Sequence, residues 1–304
     1  MNRTLPLCLF IGILASLTIL RAAEPATQSG EPLALTRAYA HRLTSAAVGD
    51  SYLIEVRLPE KYEPATTRYP VLYVLDADYW FGLASDVVTY LPMTKEGPPM
   101  IIVGIAYGGT HDDWWQKRAR DYVPKPLRTP PPAGLPLAGG AERFQQFLAT
   151  ELFPFIEQHY AAKADDRTLV GLSYGGTFAA YTLFTRPDLF QGYIILAPGL
   201  GGDKRRLFDL ETAFHAEHAK LPVSVFFGIG EQDNPGMVKN WRAFGEQVAA
   251  HNYEGLRWTT TLFPNETHIS VYPVGLTRGL KTIHPPAEAP PVEPPAAPSA
   301  PATP

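Results

Sequence analysis

One serine in this chain sits where a nucleophile could be made. The run Leu169-Val170-Gly171-Leu172-Ser173-Tyr174-Gly175-Gly176 places Ser173 inside G-x-S-x-G. An apolar segment precedes it, and a helical pattern from Thr177 to Thr185 follows, ended by Pro187. A serine on a sharp strand-to-helix turn has its oxygen pushed clear of the sheet, with the helix N-terminus beneath it. The flanking glycines leave room where such a turn crowds the backbone. A serine hydroxyl attacks only when a histidine removes its proton, and that histidine needs a third group to hold its tautomer. Downstream of the elbow the chain offers these in the order acid, then histidine. Gly230-Glu231-Gln232-Asp233 follows an apolar run, and Pro264-Asn265-Glu266-Thr267-His268 follows another. Asp233 is the favoured acid and Glu231 the alternative; His268 is the base. Attack on a carbonyl also needs two N–H groups waiting for the oxyanion. Tyr174, directly after the serine, supplies one. The second falls in the loop Leu75-Asp76-Ala77-Asp78, assigned to Asp78 with Ala77 as the alternative.

The other histidines compete poorly. His41 precedes the core strands, His284 opens a tail, and His159, His215, His218 and His251 fall in helical runs as surface residues. His215 and His218 have the spacing of a metal pair, but nothing else in the sequence supports one. His111, in a polar loop beside Asp112 and Asp113, is the rival base, and its place before Ser173 disfavours it. Arg118 and Arg120 have two readings. They could receive a carboxylate or catecholate on a substrate, or form ion pairs with Asp121 or Asp113. Trp114 and Trp115 read as core packing, with lining of the pocket as the alternative.

For residues 173, 233 and 268 to meet, strands must carry them to one edge of a sheet. Val71–Leu75, Met100–Ile105, Thr168–Leu172, Tyr193–Leu196 and Val223–Gly228 are short continuous apolar runs, as buried parallel strands should be. Thr259–Phe263 reads as another strand, and Tyr52–Leu58 alternates as an edge or half-exposed strand would. Helical patterns at Ala141–Tyr160 and Met237–His251 lie between them. The expected fold is α/β, with a mostly parallel central sheet and helices on both faces. Ligand-facing loops of such a sheet gather at the strands' C-terminal ends. The Pro- and Gly-rich segment Val123–Gly140 is too long for a routine connection and reads as a cover over the site or a solvated excursion.

Composition narrows the class. The chain has 304 residues, 45% hydrophobic and 18% charged, with a net charge of −4. That suits one large domain, residues 33–283, and gives no reason to expect nucleic acid as a partner. Arg3, the apolar run Leu5–Leu20 and the small residues Ala22 and Ala23 make residues 1–23 an export signal, with an uncleaved anchor as the alternative. Cleavage would leave a periplasmic or secreted protein without stable membrane insertion. Cys8, the only cysteine, lies in that segment, so the exported chain would carry no disulfide, thiol nucleophile or Cys-based zinc site. Residues 284–304, nearly all Pro, Ala, Glu, Ser and Thr, read as a disordered tail. No cofactor is expected: there is no G-x-G-x-x-G after a strand, no P-loop and no zinc signature.

Taken together, several segments resemble the enterochelin-esterase-like branch of the esterase D family of α/β hydrolases. The likeness spans about residues 35–283. It rests on Tyr69-Pro70-Val71-Leu72-Tyr73-Val74-Leu75-Asp76, Arg118 through Pro124, Phe147 through Glu157, the elbow, and Phe263-Pro264 to His268-Ile269-Ser270-Val271. The resemblance implies hydrolysis of a small-molecule carboxylic ester, with Ser173 as nucleophile and His268 as base. Siderophore lactones, aryl esters and short-chain acyl esters all fall within that class. An acyltransferase using the same serine, and an inactive hydrolase-fold binding protein, are the competing readings. Two departures stand out. Ala77 occupies a position where relatives carry glycine, and Ala197-Pro198-Gly199-Leu200-Gly201-Gly202 replaces a stretch where relatives often have serine and tryptophan. The second stretch is expected to face the substrate.

Overall fold

The computed structural model describes residues 34–124, 137–202 and 205–286. The expected export signal at 1–23, most of the Pro- and Gly-rich segment (125–136) and the expected tail from 287 onward lie outside the described residues. From Leu35 on, the described residues belong to one unit. It is built on a sheet of eight strands: β1 (Ala38–Ser45), β2 (Asp50–Arg57), β3 (Tyr69–Val74), β4 (Ile101–Ala106), β5 (Ala162–Leu172), β6 (Gly192–Leu196), β7 (Ser224–Gly230) and β8 (Arg257–Phe263). The spatial order is β1-β2-β4-β3-β5-β6-β7-β8. β2 runs antiparallel to both β1 and β4; from β4 to β8 every pairing is parallel. β3, β4, β6 and β7 are buried at every position. Continuous apolar runs do this when helices cover both faces.

Strand register shows which helices cover which face. One face runs through Gly104, Val74, Val170 and Ile194. On it lie α1 (Ala77–Tyr90) and α8 (Val271–Ile283). A Cβ on Gly104 would stand 2.8 Å from Ala77 of α1, and one on Gly279 of α8 would stand 2.8 Å from Ile194. The opposite face runs through Gly171, Ile195 and Phe227. It carries α5 (Tyr174–Thr185) and α7 (Pro235–Ala250), while α2 (His111–Tyr122) and α6 (Arg206–Glu217) pack against α5. The expected α/β-hydrolase architecture is therefore present.

Several local expectations are corrected. β2 is an interior strand; the edge is β1, which the sequence reading left unassigned. Of the two readings of its alternation, an edge or a half-exposed strand, β2 is the second. His41 accordingly lies on β1 rather than ahead of the strands, its Nε2 2.6 Å from Tyr160 Oη. His111 opens α2 instead of sitting in a loop. Thr110 caps that helix, its hydroxyl accepting from Asp113 N–H while the Asp113 carboxylate accepts from Thr110 N–H. Ala141–Tyr160 divides into α3 (Ala141–Phe147) and α4 (Phe153–His159), joined by a π turn at Leu148–Leu152. Pro154, in the first turn of α4, has no N–H to offer that junction. His284, expected in the tail, directs Nε2 to Thr168 Oγ1 at 2.9 Å, and burial lowers its pKa.

Candidate active site

Ser173 joins β5 to α5 with φ 59° and ψ −119°, a conformation that costs a non-glycine residue of order 1–3 kcal/mol. The turn holds because its neighbours have no side chains. A Cβ on Gly171 would lie 2.4 Å from the Gly175 carbonyl, and one on Gly176 2.6 Å from Leu196 O. Tyr174 contributes the first N–H of α5, which has no intrahelical acceptor.

The loop after β3 is pressed against that turn. Asp76 Oδ2 would be 3.4 Å from a Cβ on Gly175. Asp76 itself takes a left-handed conformation, φ 53° and ψ 41°, and starts α1. Its N–H donates to Tyr122 Oη at 3.1 Å. Its carboxylate accepts from Arg118 Nε and Nη2, both at 2.8 Å, and from Trp114 Nε1 at 3.1 Å. The N–H groups of Ala77 and Asp78, the first two of α1, have no intrahelical acceptor. Asp78 also anchors the strand next door, its carboxylate accepting from Tyr107 N–H at 2.9 Å and Gly108 N–H at 2.8 Å.

Both arginines, for which a substrate role and ion pairing were the two readings, are paired with carboxylates. Arg118, 3% exposed, is paired with Asp76, a residue the sequence reading did not connect to it. It lines the cavity at Ser173 as well, 4.7 Å from the Trp114 ring centre and 5.2 Å from that of Tyr174. Arg120 pairs with Asp50 and Asp121, each at 2.7 Å, and lines no part of the cavity at Ser173. The pairing Arg120–Asp121 was one of the alternatives.

On the other side, the loops after β7 and β8 are locked together. Gln232 N–H donates to Glu266 O at 2.9 Å, and a Cβ on Gly230 would lie 2.2 Å from that carbonyl oxygen. This closeness brings Asp233 Oδ2 to 2.8 Å from His268 Nδ1. The Asp233 side chain is 2% exposed and the His268 ring 32%. Glu231 points away, exposed, with Asn265 N–H 3.4 Å from its Oε2. Of the two acids, Asp233 is the one that meets the ring. With Nδ1 committed to a carboxylate, Nε2 is the nitrogen left for a reacting group. Ser173 and His268 line one cavity of about 460 Å³. Ser173 Oγ makes no hydrogen bond among the described residues, so proton transfer needs the hydroxyl and ring to close together, as catalytic pairs commonly do when substrate binds.

The cavity walls are aromatic. Tyr79, Trp80, His111, Trp114 and Trp115 line it, with Ile269 beside His268. Tyr79 and Trp80 carry no signal in the sequence, whereas for Trp114 and Trp115 the pocket is the less favoured of the two readings and the one found here. His111 shares the cavity but is held by Tyr79 Oη at 2.8 Å. Helix α2 could have been found from Thr110 and Asp113, three residues apart, which form an N-terminal capping pattern. His215 stacks on His251, ring centres 3.9 Å apart, and His218 bonds Phe214 O, so the two have separate partners. Gly199 through Gly202, expected at the substrate, line a second cavity that Tyr174 also borders.

Asp78 has one further neighbour. Burial and the Asp78 charge push the Glu55 carboxyl on β2 up from its ordinary 4.5 to about 7. A raised folded pKa means the native state holds the proton more tightly, so this contribution to stability is present below pH 4.5 and is lost as pH rises through about 7. Glu55→Gln should therefore melt higher than the parent protein at pH 8, with the gap closing toward pH 4.5; equal gaps at both pH values would remove Glu55 as the cause.

Known proteins resemble this chain over most of its length. The family described as putative esterase matches residues 45–257. Ferri-bacillibactin esterase BesA of Bacillus subtilis is 32% identical over 238 residues, 73% of this chain and 81% of its own. Apo-salmochelin esterase of Escherichia coli O6:H1 is 30% identical over 166 residues, 53% of this chain and 51% of its own. Among solved structures, the BES protein from Bacillus cereus matches with a TM-score of 0.77 at 27% identity, covering 86% of this chain and 99% of that one. The siderophore hydrolase EstB from Aspergillus nidulans shares the fold, with a TM-score of 0.73 at 22% identity over 84% of this chain and 98% of its own.

Proposed function

Because this chain belongs to the putative esterase family, in its enterochelin-esterase-like branch, and is a carboxylic ester hydrolase, we propose that it works through an acyl-enzyme on Ser173. His268 Nε2 takes the Ser173 proton as Oγ attacks the ester carbonyl. The oxyanion receives the Tyr174 N–H and a second N–H from the start of α1, at Asp78 or Ala77. Collapse expels the alcohol, which takes the proton from His268; water then repeats the sequence and releases the acid. Asp233 holds the ring tautomer throughout. The observation that carries this reading is one juxtaposition: a strained serine at the sheet's switch point, sharing a cavity with a histidine that a buried carboxylate orients at 2.8 Å.

The relatives' names point to siderophore-type esters, and the aromatic cavity walls suit an aryl group on the substrate. Export of the enzyme is the reading that the apolar run Leu5–Leu20 supports. No helix among the described residues is long and apolar enough to cross a membrane. A fluorophosphonate should form a single adduct on Ser173, mapped by peptide mass, and His268→Ala should abolish it. In fractionated producing cells the labelled protein should appear outside the cytoplasm. A folded protein that takes no label would overturn the nucleophile assignment, and label confined to the cytoplasm would overturn export.

A further inference from the structure

Tyr174 borders a second cavity, of about 240 Å³, on the far side of the elbow from the aromatic one. Its first wall is one face of α5, where Tyr174, Thr177 and Tyr181 recur at helical spacing. The facing wall is Leu200 with Leu207 and Leu210 of α6. Thr177 brings no unmet polar group, because its hydroxyl donates to Ser173 O at 3.0 Å and accepts from Gly199 N–H at 2.8 Å. Arg206 is the one charged residue among the described lining residues. From Tyr174 to Tyr181 the helix rises about 10 Å, so the space is a groove rather than a round hole. A cavity of about 150 Å³ already holds benzene; this one is larger and elongated.

The two cavities are separated by a pair of neighbouring rings, one from each. Tyr174 stands 5.8 Å from Trp115, which lines the reactive cavity, and the Arg118 guanidinium lies 5.2 Å from one ring and 5.5 Å from the other. The residue whose N–H faces the reacting carbonyl thus carries the wall of the groove. We infer that this groove is an accessory substrate site that receives an extended, uncharged apolar arm of the ester while the scissile bond lies at Ser173. This inference rests on the esterase reading. It also accounts for the chain's Gly199-Leu200-Gly201-Gly202 sequence, since bulky residues there would fill the space.

Half-buried Leu210 tests it, because Leu210→Trp fills the groove without entering the deep core. Two substrate pairs are compared: p-nitrophenyl octanoate against acetate, and octyl acetate against methyl acetate. In at least one pair the long-to-short ratio of kcat/KM should fall about tenfold in Leu210→Trp, the loss of a few buried methylenes, with the short esters unchanged. Leu207→Phe should move the same ratio in the same direction. Binding of octanamide to Ser173→Ala, followed by calorimetry, should weaken about tenfold on adding Leu210→Trp. Ratios unchanged in both pairs, or long and short esters falling together, would overturn the groove, as would failure of octanamide to bind because residues 125–136 of the chain itself fill it. Benzamide binding as tightly as octanamide would overturn the extended arm. If no ester were hydrolysed at all the esterase reading would fail, while the octanamide measurement would still decide the groove.

Discussion

Ser173→Ala should lower kcat by about a million-fold at nearly constant KM, and adding His268→Ala should cost little more. In the proposed mechanism the hydroxyl and the imidazole perform one step between them: the ring takes the proton as the oxygen attacks. Once either is gone that step is gone, and the second loss finds nothing left to remove. What survives is the N–H pair at Tyr174 and the start of α1, together with substrate binding, which keep such enzymes about 10³- to 10⁴-fold above water. The double variant is the informative one. Losses that multiply would mean that Ser173 and His268 act independently, contradicting a shared proton transfer. Circular dichroism guards against a folding artefact, and one is not expected, because alanine at position 173 keeps the backbone that Gly171 and Gly176 make room for.

Much of this site was legible because the relevant signals are local. Continuous apolar runs mark β3, β4, β6 and β7, since strands covered on both faces leave no polar side to read. The elbow needs glycine at 171 and 176, so small residues flanking the serine survive in the sequence. Ser173, Asp233 and His268 keep the chain order that the sheet imposes. What escaped notice is made by partners distant in sequence. β1 is polar on much of its length because only β2 flanks it, and no apolar run announces such an edge strand. The first half of β5 reads Ala162-Lys163-Ala164-Asp165-Asp166 and is largely exposed, so only its apolar end looked like a strand. Asp76 and Arg118 are 42 residues apart, and no local pattern joins them. The groove beside α5 depends on how two helices face each other, which periodicity does not fix.

Helix α2 reaches across that distance to set the site. Arg118, Trp114 and Tyr122 all bond Asp76, two through its carboxylate and one through its N–H. A left-handed residue is thereby held where α1 must begin, and that starting point fixes Ala77 and Asp78 as its first two N–H groups. Burying such a pair gives little net stability, because desolvation of both charges offsets their attraction. Its value is positional: donors fixed in advance cost no reorganisation when the oxyanion forms.

Asp233→Asn should reduce kcat about 10³- to 10⁴-fold with KM nearly unchanged, whereas Glu231→Gln should leave both within about twofold. The two acids are two residues apart on one loop, so sequence favours one over the other only weakly. Geometry separates them. Asp233 Oδ2 lies 2.8 Å from His268 Nδ1, its other oxygen accepts from Asn234 N–H at 2.6 Å, and its side chain is 2% exposed. A carboxylate there accepts the Nδ1 proton and leaves Nε2 bare to receive the one from Ser173. An amide of the same shape can turn its NH₂ toward Nδ1, which puts the ring proton on Nε2, the nitrogen that must act as base. Shape and packing hardly change, so the loss should appear in kcat and in the rate of fluorophosphonate labelling but not in the melting temperature by more than a few degrees. Glu231, exposed and facing Asn265, has no such hold on the ring. If Asp233→Asn and Glu231→Gln proved equally mild, His268 would be shown to keep its tautomer without either acid, and the site would be a serine–histidine pair.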